Sequence, residues 1–103
     1  MPTYNKLVRD RIPEIIKESG RQCRVTVLKD RDYLAALNDK LTEELEEYYK
    51  DGDLAELADL TEVIYAIIKY SGKSMDEFER MRTEKKTERG GFDKGLFLID
   101  VTE

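Results

Sequence analysis

The chain has 103 residues, of which 40% are hydrophobic and 40% are charged, and its net charge at pH 7 is −5. This length predicts a single domain over residues 1–103, and the composition excludes a disordered chain. No apolar run approaches the roughly 20 residues that a membrane span needs. One cysteine and no histidine exclude an intrachain disulfide and a Cys/His zinc site.

Acidic and basic residues are segregated along the chain. Residues 39–62 carry ten acids and two lysines, whereas residues 1–24 and 80–95 each carry six basic residues and three acids. Polymeric nucleic acid requires a broad basic face, so we do not expect it as a partner. We do not expect a membrane as a partner either, because no apolar run is long enough to span one. An acidic centre with basic ends suits a divalent cation together with a small polyphosphate.

The N-terminal quarter predicts a short helix followed by a short strand. The helix begins near Asp10, a candidate N-cap, tolerates Pro13 in its first turn and stops at Gly20. Residues 23–29 alternate in hydrophobicity as a strand does, and residues 95–101 are a second strand candidate. The two segments could pair as a small accessory β-ribbon. Since the N-terminus has no apolar signal core, we expect a cytoplasmic protein.

The middle of the chain predicts a helical hairpin. A leucine stripe with helical spacing runs from about Asp30 or Asp32 to Lys50, and a turn at Gly52 precedes a helix from Leu54 to about Ser71. Nine of the twelve residues at 57–68 are apolar or tyrosine, so this helix needs cover on more than one side. A capping box over residues 74–77 predicts a fourth helix that ends before Gly90. We therefore predict an all-α, antiparallel bundle of about four helices that is completed by oligomerisation.

Two pairs of carboxylates, each three residues apart, mark the candidate site. Glu44 and Glu47 lie on one predicted helix, and Glu56 and Asp59 lie on the next. Residues at this spacing share a helix face, so the hairpin would bring all four together. Converging anions repel one another unless a cation joins them, and Mg²⁺, with Mn²⁺ as a substitute, prefers such oxygen ligands. A bound cation can also lower the pKa of a water molecule and make it a nucleophile. Because the chain has no histidine, a carboxylate such as Glu44 or Glu47 must orient that water.

Each of these residues also has a purely structural explanation. A glutamate-rich run such as residues 43–47 is usually a solvated helix face. Glu56 has the spacing of a capping box with Asp53. Asp59 lies in an apolar stretch, where burial would be relieved equally by a metal or by a basic partner. Basic residues that could bind substrate phosphates, though surface solubility explains any one of them, are Lys6, Arg9, Arg11, Lys85 and Arg89.

The motifs EELEE at Glu43–Glu47 and ELAD at Glu56–Asp59, together with YNKLVRDRIPEII and ERGGFDKGLFL, resemble those of the MazG-like superfamily. This superfamily comprises all-α nucleotide pyrophosphohydrolases, including phosphoribosyl-ATP pyrophosphohydrolase, and the small single-domain branch is described as house-cleaning. The resemblance implies a homodimer or a dimer of dimers. It also implies Mg²⁺ ligation by Glu44, Glu47, Glu56 and Asp59, with Glu43 as a supporting carboxylate. Only eight residues separate the two motifs here, fewer than is usual, so substrate choice is not carried over.

The sequence thus predicts a Mg²⁺-dependent enzyme that hydrolyses a non-standard nucleoside triphosphate to the monophosphate and pyrophosphate by water attack at the α-phosphorus. Two alternatives remain. One is phosphoribosyl-ATP pyrophosphohydrolase activity, which is the same chemistry on another substrate. The other is a non-catalytic helical oligomer that binds a nucleotide or a protein.

Overall fold

The protein is all-α, as predicted. A computed structural model describes residues 3–103, and no strand occurs within that range. The four helices are α1 (Ile12–Glu18), α2 (Asp30–Asp51), α3 (Leu54–Tyr70) and α4 (Met75–Arg89). None of the four is long and apolar enough to cross a membrane.

Helices α2 and α3 form the packed centre of the molecule. They contact each other along an antiparallel hairpin whose turn is Gly52 and Asp53. Gly52 has a φ of +67°, and its N–H donates a 2.7 Å hydrogen bond to the Tyr48 carbonyl, closing the end of α2. A side chain disfavours this left-handed conformation, so glycine allows the sharp reversal. Leu37 and Ile68 are among the few buried side chains of the hairpin core.

Helix α4 begins at the predicted capping box. The Ser74 hydroxyl accepts a 3.1 Å hydrogen bond from the Glu77 N–H, and the Ser74 N–H donates to the Glu77 carboxylate at 3.4 Å. The backbone N–H groups of Ser74 and Glu77 both have hydrogen-bond acceptors as a result, which fixes the start of the helix. Within residues 3–103, α4 contacts α3 and not α2. The helices therefore form a hairpin extended by α4.

The N-terminal helix is shorter than expected. It begins at Ile12, and Arg11 occupies the N-cap position without a side-chain hydrogen bond, so the prediction that Asp10 caps this helix was wrong. Pro13 lies in the first turn as predicted, since its missing N–H has no helical partner there. Residues 3–11, which we call the N-terminal arm, place two basic side chains against the α2–α3 hairpin.

The predicted β-ribbon is absent from the part of the chain that the structure describes. Residues 23–29 and 95–101 are not strands, and no backbone hydrogen bond joins them. Val27 and Phe97 remain 80% and 89% exposed. A two-stranded ribbon is marginal without a surface to pack on, and one chain supplies no such surface here. The ribbon prediction was therefore wrong for the single chain.

The molecule is elongated, measuring 63 × 32 × 23 Å. Its radius of gyration is 18.4 Å, whereas a compact domain of this length has about 13 Å. The hairpin, α4 and the extended segments thus spread apolar surface rather than enclosing it.

Candidate metal centre

Three of the four predicted ligands converge across the hairpin. One carboxylate oxygen each from Glu44 on α2 and from Glu56 and Asp59 on α3 lie within 4.8 Å of one another. All three residues are partly buried. The tight turn at Gly52 aligns the last turns of α2 with the first turns of α3, so the carboxylates meet between the helices.

A second group of carboxylates adjoins the first and shares Glu56 with it. It consists of Glu47, Asp51 and Glu56, whose oxygens also lie within 4.8 Å of one another. Glu47 is thus brought to Glu56 but does not belong to the group of Glu44 and Asp59. Sequence reasoning missed Asp51 as a candidate ligand because the helix was expected to end at Lys50. The available signal was the four-residue spacing from Glu47, which places both on one helix face.

Glu56 lies at the centre of the carboxylates. Partial burial first, and then repulsion from the surrounding carboxylates, raises the pKa of Glu56 above its ordinary value. Those carboxylates belong to Asp51, Asp59, Glu47 and Glu44. The repulsion is a direct electrostatic consequence of four acidic side chains surrounding a fifth. A cation bound here would relieve it.

The capping explanation for Glu56 does not hold. Asp53 occupies the N-cap position of α3, but its side chain makes no capping hydrogen bond. The Glu56 N–H instead donates to the Asp53 backbone carbonyl at 3.1 Å. Glu56 therefore does not form a capping box at the start of α3.

Asp59 has a basic partner, which was the alternative to a metal ligand. The Arg9 guanidinium Nη2 lies 2.7 Å from Asp59 Oδ1, and the two side chains are 56% and 43% exposed. In the single chain, Asp59 is therefore neither fully buried nor unpaired. In this structure the arm supplies the positive charge that the carboxylate requires.

Glu43 is also paired with basic residues. Lys6 Nζ of the arm lies 3.0 Å from Glu43 Oε1, and Lys40 Nζ lies 3.3 Å from Oε2 and 3.5 Å from Glu44 Oε1. Partial burial opposes ionisation of Glu43, but the hydrogen bonds from both lysines outweigh it and lower the pKa of its carboxyl. The hydrogen bond to Glu43 likewise raises the pKa of Lys6. Lys40 was not among the residues predicted for the site.

The structure brings two of the five predicted phosphate-binding residues to the carboxylates, Lys6 and Arg9. Arg11 pairs instead with Glu14 of α1, at 3.1 Å between Nε and Oε2. Lys85 and Arg89 are exposed on α4, and among the described residues neither makes an ion pair. The arm and Lys40 of α2, rather than α4, therefore supply the positive charge at the site.

The donor set fits a hard divalent cation. Its candidate ligands are all carboxylate oxygens, which Mg²⁺ and Mn²⁺ prefer, and three such oxygens would leave the rest of an octahedral shell for water or phosphate. A cavity of about 60 Å³ beside the arm and a shallow depression of about 590 Å³ at residues 26–32 are both lined by residues other than Glu44, Glu56 and Asp59.

The chain is similar to part of a known protein. An uncharacterized protein of Mycolicibacterium smegmatis is 55% identical over 42 residues, which are 41% of this chain and 43% of that protein. The match thus spans less than half of that protein's length. No family model matches the chain. No solved structure matches it either.

Proposed function

We propose that the protein is a Mg²⁺-dependent nucleoside triphosphate pyrophosphohydrolase, which releases pyrophosphate and a monophosphate. The convergence of Glu44, Glu56 and Asp59 from two helices is the observation that carries this proposal. A purely solvated acidic face would spread its charges, whereas these lie close enough to repel one another. The resemblance of the two acidic motifs to those of the MazG-like superfamily supports the same chemistry.

The carboxylates of Glu44, Glu56 and Asp59 would hold the cation, with Glu47 and Asp51 beside them. Bound Mg²⁺ would neutralise charge on the triphosphate and lower the pKa of a water molecule. Glu47 is the best placed general base, because it has no ion-pair partner in the described part of the chain and lies next to Glu56. Its carboxylate would take the proton from the water that attacks the α-phosphorus.

The two basic residues of the arm would change partners when substrate binds. Lys6 and Arg9 now neutralise Glu43 and Asp59. A cation would take over that task at Asp59, which frees the Arg9 guanidinium to donate hydrogen bonds to a phosphate. Arginine suits this exchange because its planar group binds carboxylate and phosphate in the same way.

We propose a non-standard nucleoside triphosphate as the substrate, on the basis of the motif resemblance. The cytoplasm is the proposed location, because a chain with one cysteine has no intrachain disulfide. Phosphoribosyl-ATP is the alternative substrate for the same carboxylates. The enzyme is further proposed to act as a homodimer or a dimer of dimers, since one chain leaves many large apolar side chains exposed.

Pyrophosphate release from a panel of standard, modified and phosphoribosyl nucleotides, with Mg²⁺ or Mn²⁺, tests the proposal. Wild-type protein should release pyrophosphate from at least one of them, and Glu47→Gln should abolish that release while the helices persist by circular dichroism. Glu46→Gln is the matched control, since Glu46 is exposed and belongs to neither carboxylate group. No pyrophosphate from any nucleotide, or equal turnover in Glu47→Gln, contradicts the proposal.

A further inference from the structure

The single chain exposes far more surface than a folded monomer of its mass. Its accessible surface is 9806 Å², whereas a compact monomer of 12.0 kDa exposes about 6,000 Å². The excess is about 3,800 Å² per chain, and a standard protein interface covers about 800 Å² on each partner. A second copy of the chain therefore has ample surface to cover.

Residues 96–101 contribute a continuous apolar part of this excess. Five of the six are large hydrophobic side chains that are 76–89% exposed, and the one charged residue is Asp100. Leu96 and Leu98 point to one side of an extended chain, and Phe97, Ile99 and Val101 point to the other. A segment that is apolar on both sides is typical of a strand covered on both faces, not of a surface strand.

The backbone of this segment is unpaired as well. Among residues 3–103, no hydrogen bond involves the backbone of residues 96–101, and the same is true of residues 23–28. Unpaired N–H and C=O groups on an extended apolar segment are a template for another strand. Residues 23–28 are of equal length and also alternate, with Val25 and Val27 64% and 80% exposed.

The two segments match in one antiparallel register. Pairing residue 23 with residue 101 and residue 28 with residue 96 puts Cys23, Val25 and Val27 on the face of Val101, Ile99 and Phe97. The other face then carries Leu28 opposite Leu96 and Thr26 opposite Leu98. The same register sets Arg24 opposite Asp100, so the only charge on each segment meets its opposite.

We propose that residues 96–101 of one copy pair as a strand with residues 23–28 of a second copy, and that the second copy returns the same contact. Such reciprocal pairing is the self-complementary arrangement of a twofold dimer, in which each contact occurs twice. It supplies the partner strand that the single chain lacks. The paired strands would then present their apolar side chains for packing against the helices of the two copies. This interface does not depend on the proposed enzymatic activity.

The oligomeric state of the wild-type chain and of a variant tests the proposal. Size-exclusion chromatography with light scattering at micromolar concentration should give a dimer or a pair of dimers. The variant Leu96→Ser, Leu98→Ser, Ile99→Ser should weaken association at least about a hundredfold while circular dichroism still shows the helices. Met81→Ser is the control, because Met81 is an exposed apolar residue of α4. A monomeric wild-type chain, or a triple variant that associates as wild type does, overturns the proposal.

A disulfide tests the register even if the triple variant fails to fold. Cys23 is the chain's only cysteine, so Val101→Cys introduces one new partner for it. Mild oxidation should yield a covalent dimer on a non-reducing gel, and analysis of the cross-linked peptides should identify the 23–101 bond between copies. Leu54→Cys, at an equally exposed position outside both segments, should form no bond to Cys23. A 23–101 bond closed within one chain, or no bond at all, contradicts pairing between copies.

Discussion

Replacing Arg9 by glutamine separates its two proposed tasks, neutralising Asp59 and binding phosphate. The ion pair that is lost is short, 2.7 Å, but both side chains are about half exposed. Such pairs contribute about 0.2–1 kcal/mol, so the free energy of unfolding should fall by no more than about 1 kcal/mol. A cation must displace this ion pair in order to bind Asp59. Removing it should tighten Mg²⁺ or Mn²⁺ binding by up to about fivefold, since 1.4 kcal/mol corresponds to tenfold.

Isothermal titration calorimetry with Mn²⁺ and no nucleotide measures this change in cation affinity. Arg11→Gln is a matched control, because Arg11 pairs with Glu14 away from the carboxylates. With a nucleotide that the wild-type enzyme hydrolyses, Arg9→Gln should raise the KM, since the contact between Arg9 and the phosphate is lost. If Arg9→Gln weakens cation binding or leaves it unchanged, the proposal that Arg9 occupies the cation's place is wrong.

Three further changes test the fold and the site. Gly52→Ala should cost about 1 kcal/mol in urea unfolding, because φ is +67° at the hairpin turn. Ser74→Ala should cost about 1 kcal/mol by removing the cap of α4. Hydrogen bonds from Ser74 lower the pKa of Glu77, so this part of the stability is present above the carboxyl's unfolded pKa and is lost as the pH falls through the folded one. A pH titration of unfolding should show a smaller loss in Ser74→Ala than in wild type, because alanine lacks the hydroxyl but keeps the backbone N–H that also donates to the Glu77 carboxylate. Glu56→Gln should raise the melting temperature without metal, by removing the central charge, and abolish any further rise on adding Mg²⁺.

Local patterns predicted most of the helical architecture. The leucine stripe of α2, the glycine turn and the Ser74 capping box depend on residues within a few positions of one another, and all three are present in the structure. The bounds of α1 were less well predicted, because Asp10 has the residue type of a cap but not the geometry. Ends of short helices depend on single hydrogen bonds that a residue type alone does not determine.

Contacts between segments that are far apart in the chain were only partly predictable from the sequence. The convergence of Glu44, Glu56 and Asp59 followed from helical spacing and a short turn, so it was predictable. The pairing of Arg9 with Asp59 joins residues 50 positions apart, and sequence reasoning left it open as one of two alternatives. The β-ribbon prediction was wrong because it also required a contact between distant segments. Strand pairing depends on a surface on which to pack, and the pattern of one chain does not show whether that surface belongs to the same copy.

The most direct test of the central claim is cation binding to the protein without nucleotide. Calorimetric titration with Mn²⁺ should show a saturable site in wild-type protein and in Glu46→Gln, because Glu46 lies outside the converging carboxylates. Asp59→Asn and Glu56→Gln should each remove that site while the helical circular dichroism is unchanged. Equal Mn²⁺ binding in all four proteins, or none in the wild type, would contradict a metal centre between α2 and α3.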